Sequence, residues 1–100
     1  VDIYEQNIDA KSRQYQALVD IAKGGKLVTI SECGNIPDPA KCMEAGNKWS
    51  WFMVWCNSDS NGNIVLTPSD NNFKLNTSDY WKQVMSSPYV MTREDMPSLK

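Results

Sequence analysis

A single glutamate at the end of a short apolar stretch is the first residue whose position suggests chemistry. The segment KLVTISECG (26–34) runs through the strand formers Leu27 to Ile30 and then places Glu32 before a cysteine and a glycine. A carboxylate there could act as a nucleophile or stabilise a developing cation. A lone glutamate at a strand end is more often a helix cap or an ion-pair partner, so both interpretations stay open.

A second candidate lies in the tryptophan-rich segment KWSWFMVWC (48–56). Alternation with period two predicts a strand that is apolar on both faces. One predicted face carries Trp49, Trp51, Met53 and Trp55, and the other carries Ser50, Phe52, Val54 and Cys56. An indole beside a carboxylate suits a sugar site, because the indole stacks on the apolar face of a pyranose ring. Trp49 and Trp51 are more typical of a buried core.

Several other chemistries are excluded by residue type. The chain has no histidine, three cysteines and no C-x-x-C pair. The common zinc patterns, Ser-His-Asp triads and Cys-His pairs are therefore excluded. Cys33 and Cys42 could form a disulfide, or the cysteines, with Cys56, could be three small, mostly buried hydrophobic residues.

Composition is that of an ordinary globular domain. The 100 residues are 41% hydrophobic and 22% charged, with a net charge of −2. That length allows one domain with a modest core. The ten basic residues are scattered, so nucleic acid is not an expected partner. No apolar run approaches the ~20 residues of a membrane helix.

The first half of the chain has the pattern strand, helix, strand, loop. VDIY (1–4) resembles the end of a strand, and Lys26 begins the strand that leads to Glu32. Asp9 could cap a helix that ends at Gly24-Gly25. Helical spacing relates Tyr15, Leu18, Val19 and Ala22. The range 34–46, with prolines and glycines at intervals, resembles a loop.

The second half begins with the tryptophan-rich strand, followed by a long polar loop over 57–72 that could border a cleft. A last helix is predicted to start at Thr77 or Ser78 and to end at Ser87-Pro88, before an irregular tail over 89–100. The triplet 76–78 matches a glycosylation sequon, although a helix cap explains it more simply.

This order predicts an α/β fold with a parallel sheet. Parallel α/β sheets gather their active sites at the carboxyl ends of strands, so Glu32 and Trp55 should lie at one end of adjacent strands and face one cleft. Three strands cannot close a barrel, and the first strand is expected to be truncated, with only its end present in this sequence. We therefore expect a piece of a larger protein whose open sheet edges favour self-association.

Three segments resemble family 26 glycoside hydrolases, the β-mannanases. They are LVTISECGNIPDP, WSWFMVWC and the helix and tail that begin NTSDYWKQVMSSPYV, and the resemblance spans essentially the whole chain. It implies a partial (β/α)8 TIM barrel comprising about its last three strands, the sixth to the eighth, with their helices. Residues 1–100 would then be a C-terminal fragment of the catalytic domain, covering roughly the last third of a ~250-residue barrel.

The resemblance also implies an activity and roles for three residues. Such enzymes hydrolyse β-1,4-mannosidic bonds with retention, without a metal or organic cofactor, and act on mannan or related polysaccharides and oligosaccharides. Glu32 corresponds to the nucleophile, Tyr4 to the tyrosine that orients it, and Trp55 to a tryptophan that lines the sugar subsite. An extracellular, periplasmic or cell-surface location is implied as well.

The chain departs from the family pattern in lacking the acid/base glutamate, which ends the fourth strand of such barrels. We therefore expect the isolated fragment to be inactive, because a retaining glycosidase needs two carboxyl groups. The alternative is a non-catalytic carbohydrate-binding or assembly module with an aromatic surface. A third interpretation is an unrelated small α/β domain, which an antiparallel sheet with Glu32 far from Trp55 would indicate.

Overall fold

A three-stranded parallel sheet forms the centre of the structure, a computed structural model that describes residues 1–58, 61–65 and 75–98. The strands are β1 (Asp2–Ile3), β2 (Ile30–Cys33) and β3 (Phe52–Val54), in the order β1-β2-β3. Helix α1 (Ser12–Ala22) connects β1 to β2, and α2 (Pro39–Ala45) connects β2 to β3. The predicted parallel sheet is confirmed, and the antiparallel alternative is wrong for this sheet.

One face of the sheet is covered and the other is open. Ile3, Ile30 and Cys33 are at most 3% exposed and form the core of the covered face, against which Trp49, Phe52 and Val54 pack. Their neighbours project to the opposite face, because side chains alternate across a strand except between Ile30 and Cys33, where the register of β2 against β3 is irregular. That face, called the open face below, carries Tyr4, Glu32, Met53 and Trp55.

Trp49 lies on the covered face, which corrects its predicted placement beside Trp51 and Trp55. Its ring packs edge-on against Tyr15 with 5.1 Å between ring centroids, and its indole N–H donates to the Ala10 carbonyl at 3.2 Å. The alternation fails there because the regular strand begins only at Phe52. Trp51 is 64% exposed, so the prediction that it belongs to a buried core is wrong for this structure.

Strand β2 starts later than predicted and includes the glutamate. Leu27 is 82% exposed, and the ladder begins at Ile30 and continues through Glu32 to Cys33. In the register, Asp2 lies opposite Glu32 and Ile3 opposite Cys33. Glu32 is therefore held by strand hydrogen bonds rather than by a loop.

The start of α1 and the range 34–46 also differ from prediction. Lys11, not Asp9, precedes the first turn of α1, and Asp9 instead pairs with Lys41 at 3.0 Å. The range predicted as a loop contains α2, which begins with the Asp38 side chain accepting from the Ala40 N–H at 2.8 Å. An Asp-Pro pair at the start and Gly46 at the end, with φ of 72°, were local signals for that helix.

The predicted loop 57–72 is only partly a loop. Strands β4 (Asn57–Ser58) and β5 (Ile64–Val65) pair in antiparallel fashion within it. The part of the predicted loop from residue 66 onward lies outside the described residues. The prediction that this loop borders a cleft therefore stays a prediction.

The last helix, α3, spans Ser78–Met85 and is capped as predicted. The Thr77 side chain accepts from the Tyr80 N–H at 3.1 Å. Asn76 is fully buried with its amide engaged, which favours the cap over the sequon interpretation. A short 3₁₀ turn, Arg93–Asp95, interrupts the tail. Within the described ranges, no helix has the length and apolarity to cross a membrane.

Candidate active site

The Tyr4 hydroxyl donates a hydrogen bond to Oε2 of Glu32. The sheet register brings the two together, because Tyr4 follows β1 directly and Glu32 lies in the adjacent strand. The hydrogen bond to Glu32, followed by burial and the charges of Glu32, Asp2 and Cys56, raises the pKa of Tyr4 to about 12. The phenol therefore stays protonated at neutral pH and remains a donor to the carboxylate.

A second polar pair lies on β1 and β2, next to Tyr4 and Glu32. The Ser31 hydroxyl donates to Oδ1 of Asp2 at 2.6 Å, and the Ser31 N–H donates to the Val1 carbonyl at 2.8 Å. Asp2 is thus engaged with the neighbouring strand. Its carboxylate also adds to the negative field at the Tyr4 phenol.

The segment that follows Glu32 is held by residues from the second half of the sequence. Asn76 accepts from the Ile36 N–H at 2.9 Å and donates to the Gly34 carbonyl at 2.6 Å. The Tyr80 hydroxyl donates to the Ile36 carbonyl at 2.8 Å, and burial, followed by the charge of Asp38, raises the Tyr80 pKa. Sequence reasoning missed both roles, since these contacts span 40 to 44 residues.

Trp55 lies at the same sheet end as Glu32. Its backbone N–H donates to the Cys33 carbonyl at 2.9 Å, directly after Glu32. Val54 packs in the core, so Trp55 projects to the open face, where it is 59% exposed. The structure thus places Tyr4, Glu32 and Trp55 on one face at the carboxyl ends of neighbouring strands. Their functional roles stay predictions.

The cysteines are three free thiols, which favours the second of the two interpretations left open above. Cys33 is buried, and Cys42 and Cys56 are half-buried. Burial raises the pKa of Cys33 to about 11, and burial with the nearby charge of Asp38 does the same for Cys42. In the part of the chain that is described, no cluster of three or more cysteine, aspartate or glutamate side chains could hold a metal ion.

Two curated relatives match nearly the whole chain. A mannan endo-1,4-beta-mannosidase of Thermothelomyces thermophilus is 30% identical over 95 residues, and mannan endo-1,4-beta-mannosidase B of Piromyces sp. is 29% identical over 98. The alignments cover 95% and 98% of this chain. They cover only 18% and 15% of the relatives, so this chain spans less than a fifth of the proteins that it resembles.

Two solved structures share the fold. The GH26-CBM35 β-(1,4)-mannanase of Podospora anserina superposes with a TM-score of 0.73 at 26% identity, over 94% of this chain and 19% of its own. A β-mannanase from a symbiotic protist of the termite Reticulitermes speratus, complexed with gluco-manno-oligosaccharide, superposes with a TM-score of 0.69 at 30% identity, over 97% and 28%. The parallel sheet with its helices is consistent with part of the barrel of such proteins. Glycosyl hydrolase family 26 matches residues 1–95, and the chain belongs to this family.

Proposed function

We propose that the chain is part of a retaining glycoside hydrolase that cleaves β-1,4-mannosidic bonds and that it contributes the nucleophile, Glu32. The observation that carries the proposal is the hydrogen bond from Tyr4 to Glu32 at the carboxyl end of a parallel sheet. Two curated relatives named as mannan endo-1,4-beta-mannosidases and a relative complexed with gluco-manno-oligosaccharide support a mannan-type substrate.

The reaction would be a two-step displacement. Glu32 attacks the anomeric carbon, the bond to the leaving sugar oxygen breaks, and that oxygen takes a proton from a second carboxyl group. Water then attacks the glycosyl-enzyme intermediate, gives up its proton to the same group and releases the sugar. Tyr4 binds Oε2, which leaves Oε1 of Glu32 for the attack. The raised Tyr4 pKa keeps this donor in place throughout the neutral range.

The other parts of the site follow from the position of the sheet in the proposed barrel. We assign β1, β2 and β3 to its sixth, seventh and eighth strands, and Trp55 to the platform beneath the sugar. The proton donor would come from a strand outside this chain. The isolated chain would then be close to inert, because general acid catalysis is typically worth ~10²–10⁴-fold in rate.

The test is Glu32→Gln in the protein that joins this chain to the remaining strands, with the rate of mannan hydrolysis and mannan binding as readouts. The amide is nearly isosteric but cannot form the glycosyl ester, so hydrolysis should fall by several orders of magnitude while binding persists. Glu44→Gln, the same change on the exposed surface of α2, is the matched control. Residual activity within about tenfold of the parent would contradict the assignment.

Binding without turnover in the joined parent protein would favour the second candidate, a carbohydrate-binding or assembly module. The exposed indoles of Trp51 and Trp55, 64% and 59% exposed, are the observation that supports it. Stacking on a sugar needs no nucleophile, so Glu32→Gln would leave mannan binding intact under either candidate, and only turnover by the parent separates the two.

A further inference from the structure

The segment that follows Tyr4 ends at a buried lysine. The segment 5–11, called the linking loop below, joins β1 to α1 and ends at Lys11, whose side chain is 1% exposed. Its Nζ donates to the Asn7 carbonyl at 3.0 Å and to the Asn7 side-chain oxygen, and it pairs with Oε2 of Glu5 at 3.3 Å. Three acceptors thus meet the three protons of the ammonium group.

The charge of Lys11 is matched inside the loop. A buried ammonium group is unfavourable unless it is paired and hydrogen-bonded, and Glu5 supplies the counter-charge. The Gln14 side chain of α1 donates to Oε1 of Glu5 at 2.7 Å, so both carboxylate oxygens are held. Hydrogen bonds from Gln14 and Lys11 lower the pKa of Glu5, which is therefore ionised at neutral pH.

The backbone of Lys11 is also constrained. Its φ of 55° and ψ of 39° are left-handed values that few residues other than glycine adopt. The carbonyl of the preceding residue, Ala10, accepts from Asn47 at 2.8 Å and from Trp49 at 3.2 Å. Asn47 and Trp49 therefore hold the far end of the linking loop, and the Lys11 ammonium group connects that end to Glu5.

Tyr4 lies between the end of β1 and this anchored loop. At the end of β1, the Ile3 carbonyl accepts from the Gly34 N–H at 3.2 Å. Tyr4 lies beyond it and is 53% exposed, so packing alone does not hold its ring. The next anchored residue along the chain is Glu5. We propose that Lys11 is a positioning residue that acts through Glu5 to hold the Tyr4 hydroxyl against Glu32.

That this positioning matters for catalysis rests on the proposed function, but the positioning itself can be tested without measuring enzyme activity. In the full chain, the phenol pKa of Tyr4 would be measured by NMR with ¹³Cζ-labelled tyrosine, and the resonance assigned with Tyr4→Phe. The parent should titrate near 12. Lys11→Met should lower the Tyr4 pKa from that value toward the ordinary value of 10.0, because the hydrogen bond to Glu32 is the largest cause of the raised pKa.

The sign of the shift separates positioning from simple electrostatics. Removing a positive charge, with the geometry unchanged, would raise the phenol pKa, since the phenolate would lose a favourable interaction. Lys41→Met is the matched control, because Lys41 pairs with Asp9 of the same linking loop but is 47% exposed and does not contact Glu5. It should leave the Tyr4 pKa unchanged.

A milder variant covers the case in which Lys11→Met does not fold. Gln14→Leu frees Oε1 of Glu5, keeps the lysine and should lower the Tyr4 pKa by a smaller amount. A Tyr4 pKa that stays near 12 or rises in every folded variant would overturn the positioning role alone. A parent Tyr4 that titrates near 10 would overturn the Tyr4–Glu32 contact, and with it the proposed role of Tyr4.

Discussion

Replacing Asn76 by alanine should destabilise the chain more than any cap substitution beside it. The amide group is fully buried and satisfies two backbone groups, the Ile36 N–H at 2.9 Å and the Gly34 carbonyl at 2.6 Å. Both residues are themselves buried, so water cannot replace the lost partner without opening the structure. Asn76→Ala leaves a donor and an acceptor unsatisfied at once.

The expected magnitude follows from those two groups. Each buried polar group left without a partner is unfavourable by about 1–3 kcal/mol, so the substitution should lower the free energy of unfolding by about 2–6 kcal/mol. Domains of this size are stable by only about 5–15 kcal/mol. Since 1 kcal/mol shifts Tm by roughly 4–8 °C at this length, a decrease of at least about 8 °C is expected.

Thermal and urea unfolding, followed by circular dichroism, would measure this loss. Thr77→Ala is the internal standard, because it removes one cap hydrogen bond, to the Tyr80 N–H, and caps are typically worth about 1 kcal/mol. The reasoning would be refuted by an Asn76→Ala variant that unfolds at the same temperature and urea concentration as Thr77→Ala.

Two further predictions concern the thiols and the sheet edges. Cys33 and Cys42 should resist alkylation by iodoacetamide at pH 8, because only the thiolate reacts and a pKa of about 11 leaves about one thiol in a thousand ionised. Peptide mass mapping would measure the alkylation rate of each thiol. Alkylation of either thiol as fast as a free cysteine would contradict the prediction. The isolated chain should associate as its concentration rises, because the outer edges of β1 and β3 lack a strand partner among the described residues and Trp51, Met53 and Trp55 are exposed. Sedimentation over a concentration series that finds a stable monomer would show that the edges are protected.

Local signals accounted for much of the fold. The strand-helix-strand order correctly predicted parallel pairing, because a crossover of that length returns the chain in the same direction. Thr77 was one of the two residues, with Ser78, that were predicted to cap the last helix, since capping involves atoms only two or three residues apart. The missed helix α2 had comparable signals in Asp38, Pro39 and Gly46, so its omission was an error of interpretation, not a lack of information.

The candidate site could be predicted only in part. The pattern placed Glu32 and Trp55 at one sheet end, and the family resemblance alone pointed to Tyr4 as a partner of Glu32. The contact between Tyr4 and Glu32 spans 28 residues and depends on the register of β1 against β2. A slip of one residue would turn either side chain to the other face.

The sequence by itself determined the parallel arrangement of the strands, the apolar core segments and the position of Glu32 near a strand end, because each depends on periodicity or on neighbours along the chain. Only the tertiary structure decided that Trp49 joins the covered face, that Asn76 holds the chain after Glu32 and that Lys11 is buried against Glu5. A polar side chain carries no local sign of burial. Its partners are chosen by packing between distant segments, and burial without them would be too unfavourable to persist.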